Sequence, residues 1–232
     1  MREIYFESID STNTYLKNNY ESLDDMTFVR ADIQTKGRGR NDRVWKADKG
    51  DNLLFSILIK DKEMIDRYKA LSVNSAYIVL KVLESYGIDN LSIKWPNDIY
   101  VNDRKICGIL LEAVSRNDIE CLIIGIGINV NQEEFVGEYI TDPTSMYLEL
   151  HEEIDLNEFK EKVFASLSNN LREDYYEEIK EYDYLKNKEA DVMLGNEKKH
   201  IRVLGINRDY SLKISDGTRE TDISSGEISF HI

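Results

Sequence analysis

The sequence predicts an α+β protein, in which a larger domain of mixed helices and strands precedes a small β-barrel. Apolar runs of strand length and apolar repeats of helical spacing alternate through most of the chain. After about Leu185 only short apolar runs separated by glycines remain, which is typical of a small barrel. The chain has 232 residues, of which 41% are hydrophobic, so it is long enough for this division. We therefore place the domains at residues 1–184 and 185–232, and we expect the small one to pack on the large one.

The first half of the chain carries two helix signals and two strand signals. Helix N-cap residues cluster just ahead of the apolar Tyr15 and Leu16. A later segment repeats apolar residues at helical spacing and is followed by Gly87, a residue suited to end a helix. In chain order we expect a helix beginning within Asp10–Asn13, a short strand at Thr27–Ala31, a central strand at Asn52–Ile59 and a helix at Arg67–Tyr86.

The second half continues with a series of short strands and one further long helix. The turn at Asn102 and Asp103 indicates a hairpin, and Asp155 to Glu158 resembles a capping box ahead of an amphipathic repeat. In chain order we expect strands at Ser92–Trp95, Ile99–Val101, Lys105–Glu112 and Ile119–Ile126, and then the helix that begins at Asp155.

An excess of acidic residues limits the partners of the chain. It has 30 Lys and Arg against 44 Asp and Glu, a formal net charge of −14, which argues against nonspecific binding to nucleic acid. The longest uncharged apolar run, Cys121–Val130, is far shorter than the roughly 20 residues that span a bilayer. Cys107 and Cys121 lie in apolar runs typical of a core, and a disulfide between them would require adjacent strands. We expect a cytoplasmic protein without membrane or nucleic-acid partners.

One segment is basic, although the chain as a whole is acidic. Thr35 to Lys46, TKGRGRNDRVWK, carries five positive charges and one negative charge. Glycines let the backbone approach an anion closely, and the arginine fork matches the oxygens of carboxylates and phosphates. Trp45 adds a flat face suited to an aromatic base. The combination indicates a clamp for a phosphate-bearing ligand, although a solvated surface loop would have the same composition. No phosphate-loop motif is present, and GIGINV at residues 125–130 lacks the third glycine of a dinucleotide fingerprint.

A second informative stretch, KWPNDIYVNDRKICGILLE, begins at Lys94. Pro96 holds the chain extended between two strands, so Lys94, Asn97 and Asp98 are displayed at a strand end. These three residues suit an oxyanion, a hydrogen-bonding ring and Mg²⁺, and they equally fit a polar β-turn. Lys105 opens an apolar strand, where its ammonium group must reach either water or an anion.

These stretches occur in order with further short motifs. GRGR-x-x-R-x-W, KWPND, DRK-x-x-G-I-L-x-E and G-x-GINVN follow one another, with DSTN at residues 10–13 and GEIS at residues 226–229. Together they resemble the biotin–protein ligases, also named biotin–[acetyl-CoA-carboxylase] ligases, from about residue 4 to residue 230. Any one motif would be weak evidence, whereas all of them in register are strong evidence.

The resemblance implies a catalytic domain related to class II aminoacyl-tRNA synthetases at residues 1–184, followed by an SH3-like barrel. It implies a two-step reaction with biotin, ATP and Mg²⁺. The biotin carboxylate attacks the α-phosphate of ATP, giving biotinyl-5′-AMP and pyrophosphate. A lysine of a biotin carboxyl carrier domain then attacks the mixed anhydride and releases AMP. Because two anions meet in the first step, the site needs cationic groups rather than a nucleophilic side chain. The basic segment would be a lid that keeps water from the intermediate.

The same resemblance implies roles for individual residues. Catalysis would fall to Arg40, Lys94 and Lys105, with Arg40 retaining the adenylate. Biotin would be bound by Ser11, Thr12, Asn13, Gln34, Arg38, Gly39, Arg40, Lys105 and Gly108. ATP would be bound by Trp45, Asn97, Asp98 and Asn129, of which Trp45 would cover the adenine and Asp98 is the candidate ligand of Mg²⁺.

The chain departs from the common family pattern at Asn41 and Asp42, where Arg-Gly is frequent, so we expect looser retention of the adenylate. Its first motif begins at residue 10, which leaves no room for the helix-turn-helix domain of those members that repress transcription. We expect a monofunctional ligase that does not bind DNA. The identity of the carrier stays open, as does the oligomeric state, a homodimer included. Two alternatives stay open as well: a lipoate or octanoate ligase or transferase of the same superfamily, and a non-catalytic ligand sensor.

Overall fold

The computed structural model describes residues 2–40, 45, 50–194, 197–224 and 228–231. Within these ranges the chain forms two β-sheets and a set of α-helices, which confirms the α+β class. The sequence-based expectations for Asn41, Asp42, Arg43 and Gly226 lie outside the described residues.

The elements follow the predicted order. The strands of the larger sheet are β1 (Arg2–Ile9), β2 (Thr27–Gln34), β3 (Asn52–Ile59), β4 (Leu91–Lys94), β5 (Asp98–Val101), β6 (Arg104–Ser115) and β7 (Ile119–Asn129). Those of the smaller sheet are β8 (Glu189–Leu194), β9 (Glu197–Ile206), β10 (Leu212–Ser215), β11 (Glu220–Ile223) and β12 (Ile228–His231). The helices are α1 (Thr12–Asn19), α2 (Lys62–Asp66), α3 (Tyr68–Glu84), α4 (Met146–Leu150), α5 (Leu156–Asn170) and α6 (Tyr176–Ile179). Each predicted element is present, whereas β1, β11, α2, α4 and α6 carried too weak an apolar pattern to be predicted.

The larger sheet has the strand order β1-β2-β3-β7-β6-β5-β4. Strands β1 and β2 are parallel, and the other neighbouring pairs are antiparallel. Every residue of the central strand β3 is buried, because α3 and α5 cover one face of the sheet and α1 covers the other. Side chains alternate between faces along a strand, so Phe55 and Ile57 join the core under α3 and α5. Ser56 and Leu58 face α1 instead.

The smaller sheet is antiparallel, with the order β11-β10-β9-β8-β12, and it packs on the larger one. A single apolar core runs through both sheets. The indole N–H of Trp95 donates to the backbone oxygen of Tyr210 at 2.9 Å, and the hydroxyl of Tyr176 donates to that of Ile206 at 3.2 Å. Because the core is shared, the division between residues 184 and 185 stays a prediction.

Both cysteines are buried and free. Burial raises the pKa of Cys121 to about 11 and raises the pKa of Cys107 further. Both thiols therefore stay protonated at neutral pH, which makes them poor nucleophiles. In the described part of the chain, no helix is both long enough and apolar enough to cross a membrane.

Asp174, between α5 and α6, binds Arg208 and Tyr210 in the loop between β9 and β10 of the smaller sheet. The contribution of Asp174 to the stability of the fold should depend on pH. The Arg208 guanidinium, 2.5 Å away, and the Tyr210 hydroxyl, 2.6 Å away, hold the pKa of Asp174 well below its ordinary value of 3.8. A carboxyl group with a lowered pKa contributes fully to stability above its unfolded-state pKa. That contribution declines as the pH falls below this value and is lost as the pH falls through the folded-state pKa. Asp174→Asn should lower the melting temperature at pH 7, and the difference from wild type should narrow below about pH 4.

Thermal unfolding followed by circular dichroism between pH 7 and pH 3 measures this difference. Asp222→Asn, which changes an exposed acid in the same sheet, is the matched control and should behave as wild type at every pH. A difference between Asp174→Asn and wild type that is constant with pH would contradict the assignment.

Candidate active site

A cleft with a volume of about 460 Å³ lies where the N-terminus of α1, the strands β6 and β7, the turn between β4 and β5, and residues 135–143 meet. All of the predicted site residues line it: Ser11, Thr12, Asn13, Gln34, Arg38, Gly39, Arg40, Trp45, Lys94, Asn97, Asp98, Lys105, Gly108 and Asn129. The structure brings these residues together, and their individual roles stay predictions.

The first turn of α1 forms one end of the cleft. Ser11 is the N-cap, and its hydroxyl accepts from the backbone N–H of Thr14 at 3.4 Å. Thr12 and Asn13 follow and are almost fully buried. The backbone N–H of Thr12 donates to Oε1 of Gln34 at 2.8 Å, so the amide group of Gln34 is held with its NH₂ away from the helix. This end of the cleft is polar, and the hydrogen bonds of Ser11 and Gln34 hold the first turn of α1 in position there.

Asn13 is the centre of that polar end. Its Nδ2 donates to Oε2 of Glu112 at 2.7 Å, and its Oδ1 accepts from the hydroxyl of Ser56 at 2.5 Å. Strand β7 passes directly beneath at Gly125, where a Cβ atom would lie 2.3 Å from Oδ1 of Asn13. Helix α1 therefore reaches its place on the sheet only because residue 125 has no side chain.

Two further glycines form a flat floor. Gly108 of β6 and Gly127 of β7 pair across the sheet. The ring of Trp45 lies on both, because a Cβ atom on either glycine would come within 2.7 Å of it. Lys105 lies 5.4 Å from the centre of the same ring. Residues without side chains thus leave a slot in which a planar group fits against the backbone.

The other end of the cleft is cationic. Among the described residues, the lining contains Arg38, Arg40, Lys94 and Lys105 but only two acids, Asp98 and Glu138, although the whole chain has a formal net charge of −14. The basic groups of an otherwise acidic chain are therefore concentrated at one place, because the cations of two distant sequence segments line the same cleft. Such a site attracts anions at short range, where salt screens little.

Each of these cations has a partner in the cleft lining or directly behind it. An Arg38 nitrogen lies 3.0 Å from a carboxylate oxygen of Glu112, and Nζ of Lys105 lies 2.7 Å from Oδ1 of Asp98. An Arg40 nitrogen donates to Oδ1 of Asn97 at 3.3 Å. Nζ of Lys94 donates to the hydroxyl of Tyr100 at 3.1 Å. These contacts orient the cationic groups toward the cleft, because a hydrogen bond with a charged group is stronger than one between neutral groups.

Two asparagines predicted to bind ATP also support the backbone. Nδ2 of Asn97 donates to the backbone oxygen of Ile109 at 2.7 Å, which ties the β4–β5 turn to β6. Nδ2 of Asn129 donates to the backbone oxygen of Thr144 at 2.9 Å, which anchors the segment after β7. The NH₂ of Asn129 and both the NH₂ and the oxygen of Asn97 therefore already form hydrogen bonds within the protein.

Sequence reasoning missed several residues of the site. Ser56 was a single hydroxyl within an apolar run, and Glu112 was part of a motif without an assigned role. Gly125 and Gly127 stood in the weak dinucleotide fingerprint and in the motif G-x-GINVN, without an assigned role in the site. Tyr100 carried no signal, since a tyrosine in a strand is ordinarily a packing residue.

Asp98 is the carboxylate that lies among the cationic groups of the cleft, and it is the candidate ligand for a divalent cation. No group of three or more His, Cys, Asp or Glu side chains in the described ranges is arranged to hold a metal. Mg²⁺ is commonly held by one or two carboxylates together with substrate phosphates, so Asp98 fits that ion when phosphates are present.

Comparisons with known proteins agree on one group of enzymes. The family model described as the biotin/lipoate A/B protein ligase family matches residues 5–129. The bifunctional ligase/repressor BirA of Bacillus spizizenii is 37% identical over 158 residues, which are 66% of this chain and 48% of that relative. The chain therefore spans about half the length of the Bacillus relative. The biotin–[acetyl-CoA-carboxylase] ligase of Paracoccus denitrificans is 30% identical over 159 residues, which are 65% of each chain.

The fold matches a solved structure over nearly its full length. The biotin protein ligase of Aquifex aeolicus, in complex with biotin and ATP, superposes with a TM-score of 0.86 and 30% identity. The match covers 99% of this chain and 98% of the Aquifex chain.

The position of the Trp45 ring against Gly108 and Gly127 can be tested without a ligand. Gly127→Ala puts a Cβ atom where the indole ring lies, so the ring should move into solvent. Tryptophan emission should shift to longer wavelength, and quenching by acrylamide should increase. The other tryptophan, Trp95, is 2% exposed and supplies a constant background.

The matched control combines Gly127→Ala with Trp45→Phe. Its emission should equal that of Trp45→Phe alone, because only Trp95 then contributes. A shift that persists in the double variant would show that the substitution disturbs Trp95, and the seat assigned to Trp45 would be wrong.

Proposed function

The chain belongs to the biotin/lipoate A/B protein ligase family, and we propose that it joins biotin to a lysine of a biotin carboxyl carrier domain at the expense of ATP. We propose further that the protein acts in the cytoplasm, where ATP and carboxylases are available, and that it does not bind nucleic acid. The ligand site would belong to residues 1–184, and residues 185–232 would form an SH3-like barrel.

The polar end of the cleft is the observation that carries this proposal. The buried Thr12 and Asn13 and the half-buried Gln34 form a set of donors and acceptors beside a flat glycine floor. The urea ring of biotin is planar and offers two N–H groups and one carbonyl oxygen. The dithiolane of lipoate and the methyl end of octanoate offer no matching groups and would cover the Gln34 NH₂ and the remaining lone pairs of Thr12 without bonding to them, which is unfavourable. A site built this way favours biotin over the other acids of the superfamily.

The cationic end suits the first step. With the ring held near Asn13, the carboxylate of biotin extends toward Arg38, Arg40 and Lys105. Its oxygen attacks the α-phosphorus of ATP, an O–P bond forms, and the bond to the β-phosphate breaks with loss of pyrophosphate. Fixed cations lower the barrier because negative charge accumulates on the phosphorus oxygens in the transition state. Lys94 and Lys105 are the candidates to meet that charge, and Trp45 is the candidate platform for the adenine.

Mg²⁺ belongs to the proposal through Asp98, which would hold it together with oxygens of the ATP phosphates. The ion would neutralise charge on the phosphates. Asp98 is bound to Lys105 at 2.7 Å, so this carboxylate would exchange an ammonium partner for the metal.

The second step needs a lysine amine and the exclusion of water. The amine attacks the acyl carbon of biotinyl-5′-AMP, an amide bond forms, and AMP leaves with the anhydride oxygen. Arg38 and Arg40 would hold the adenylate until the carrier arrives, a role supported by their position in the cleft lining, in the segment after β2. An enclosed adenylate is protected from hydrolysis.

Exchange of labelled pyrophosphate into ATP tests the first step. With Mg²⁺ and one acid at a time, exchange should depend on biotin and should be absent with lipoate, octanoate or no acid. Lys105→Ala should lower the exchange rate by roughly a hundredfold, the usual effect of losing one group that stabilises transition-state charge.

The matched control is Lys213→Ala, which removes an ion-paired lysine of the smaller sheet and should leave exchange unchanged. Exchange with lipoate or octanoate in place of biotin would assign the chain to the lipoate side of the family. No exchange with any acid would contradict the adenylation step itself.

A further inference from the structure

The orientation of every group in the polar end follows from one carboxylate. A carboxylate oxygen only accepts, so the group of Asn13 that faces Glu112 must be its NH₂, with 2.7 Å between Nδ2 and Oε2. The amide oxygen of Asn13 therefore faces Ser56. Arg38 donates to the same carboxylate at 3.0 Å and 3.2 Å, which holds Glu112 in place.

The direction of the next two hydrogen bonds is then determined. The oxygen of Asn13 cannot donate, so the Ser56 hydroxyl must spend its only hydrogen on it, across 2.5 Å. The contact of 2.6 Å between the Ser56 and Thr12 hydroxyl oxygens can then be a hydrogen bond only if Thr12 donates. A chain of two hydroxyl groups thus runs in one direction, from Thr12 through Ser56 to Asn13.

The result is a fixed chemical character for Thr12 in the cleft. Its hydroxyl hydrogen points to Ser56 at 2.6 Å, the shorter of its two contacts with an acceptor, the other being Gln34 Oε1 at 3.2 Å. Toward a ligand Thr12 Oγ1 therefore offers lone pairs only. Beside it, Gln34 uses its oxygen for the Thr12 backbone N–H and retains its NH₂. An acceptor next to a donor complements a ring that carries an N–H group beside a carbonyl group.

Ser56 itself does not reach the ligand. It is 0% exposed and is absent from the cleft lining, whereas Thr12 is part of that lining. We propose that Ser56 is a specificity-determining positioning residue, which fixes Thr12 as a hydrogen-bond acceptor and so makes the cleft select a ring with an N–H group. The inference rests on the proposed function, because it takes biotin as the ligand whose urea N–H meets Thr12.

Removal of the Ser56 hydroxyl should lower the affinity for ligands with a ring N–H group at this position more than the affinity for ligands without it. In Ser56→Ala the hydrogen of Thr12 loses its nearer acceptor and can turn into the cleft, where it opposes the N–H of the ligand. Gln34 Oε1, at the longer distance of 3.2 Å, would keep Thr12 an acceptor only in the fraction of molecules in which it takes that hydrogen. The expected loss of biotin affinity is about tenfold, the equivalent of one neutral hydrogen bond. A ligand without the N–H at that position loses nothing, because it never used the acceptor.

The experiment is calorimetric titration of the full chain, without ATP, with biotin and with its two cyclic carbamate analogues, in each of which an oxygen atom replaces one ring N–H. In wild type, the analogue that lacks the N–H facing Thr12 should bind more weakly than biotin. In Ser56→Ala, biotin should weaken about tenfold, while that analogue should keep its wild-type affinity. Ser56→Cys, with a weaker donor of similar shape, should be intermediate and serves if the alanine variant fails to fold.

The matched control is Ser75→Ala. Ser75 is also 0% exposed, and its hydroxyl has no hydrogen-bond partner among the described residues, so its loss should leave the binding of all three ligands unchanged. Equal weakening of biotin and both analogues by Ser56→Ala would mean a merely structural role and would overturn the inference. Unchanged biotin affinity in Ser56→Ala would overturn it too. A wild-type chain that binds no biotin would overturn the proposed function, and the inference with it, and this failure is visible before any variant is compared.

Discussion

The contact of Asn13 with Gly125 is the constraint on which the ligand site depends. The first turn of α1 approaches β7 so closely that a single Cβ atom at residue 125 would overlap the Asn13 side chain. At that distance the amide of Asn13 bonds to Ser56 and Glu112, which come from two different strands. One missing side chain therefore allows a helix cap and two strands to form a common polar pocket.

The cleft joins two environments that need different chemistry. Near Asn13 the groups are neutral donors and acceptors in a buried surrounding, where each hydrogen bond discriminates strongly because an unsatisfied group is unfavourable. Near Lys105 the groups are cationic, and they suit the carboxylate and phosphates of two reacting anions. Glu112 stands between the two environments, since it accepts from Asn13 and pairs with Arg38. A ligand that extends from one environment into the other is positioned by both.

The sequence made part of this site predictable. Arginines, glycines and a tryptophan in one segment of an acidic chain indicated an anion site, because they combine positive charge, close approach of the backbone and a flat aromatic face. The apolar run of β3 and the repeat of α3 likewise indicated buried elements of the right type. These signals are local, and short segments carry them.

The rest depended on contacts between distant segments. Ser56 became a site residue because alternation along β3 turns it toward α1, and this requires the position of α1 on the sheet. The floor formed by Gly108 and Gly127 exists only in the observed register of β6 with β7, and a shift by one residue would place side chains there. The partners of Lys94 and Lys105, Tyr100 and Asp98, are likewise set by the pairing of β5 with its neighbours.

Complete transfer tests the account most directly, because it requires the polar end, the cationic end and access of the carrier at once. The purified chain would be incubated with ATP, Mg²⁺, biotin and an unmodified biotin carboxyl carrier domain, and the carrier would be analysed by intact-mass and peptide mass spectrometry. The account predicts one biotinyl group on one lysine of the carrier, formed only when ATP is present. An unmodified carrier, or a carrier modified when lipoate or octanoate replaces biotin, would contradict it.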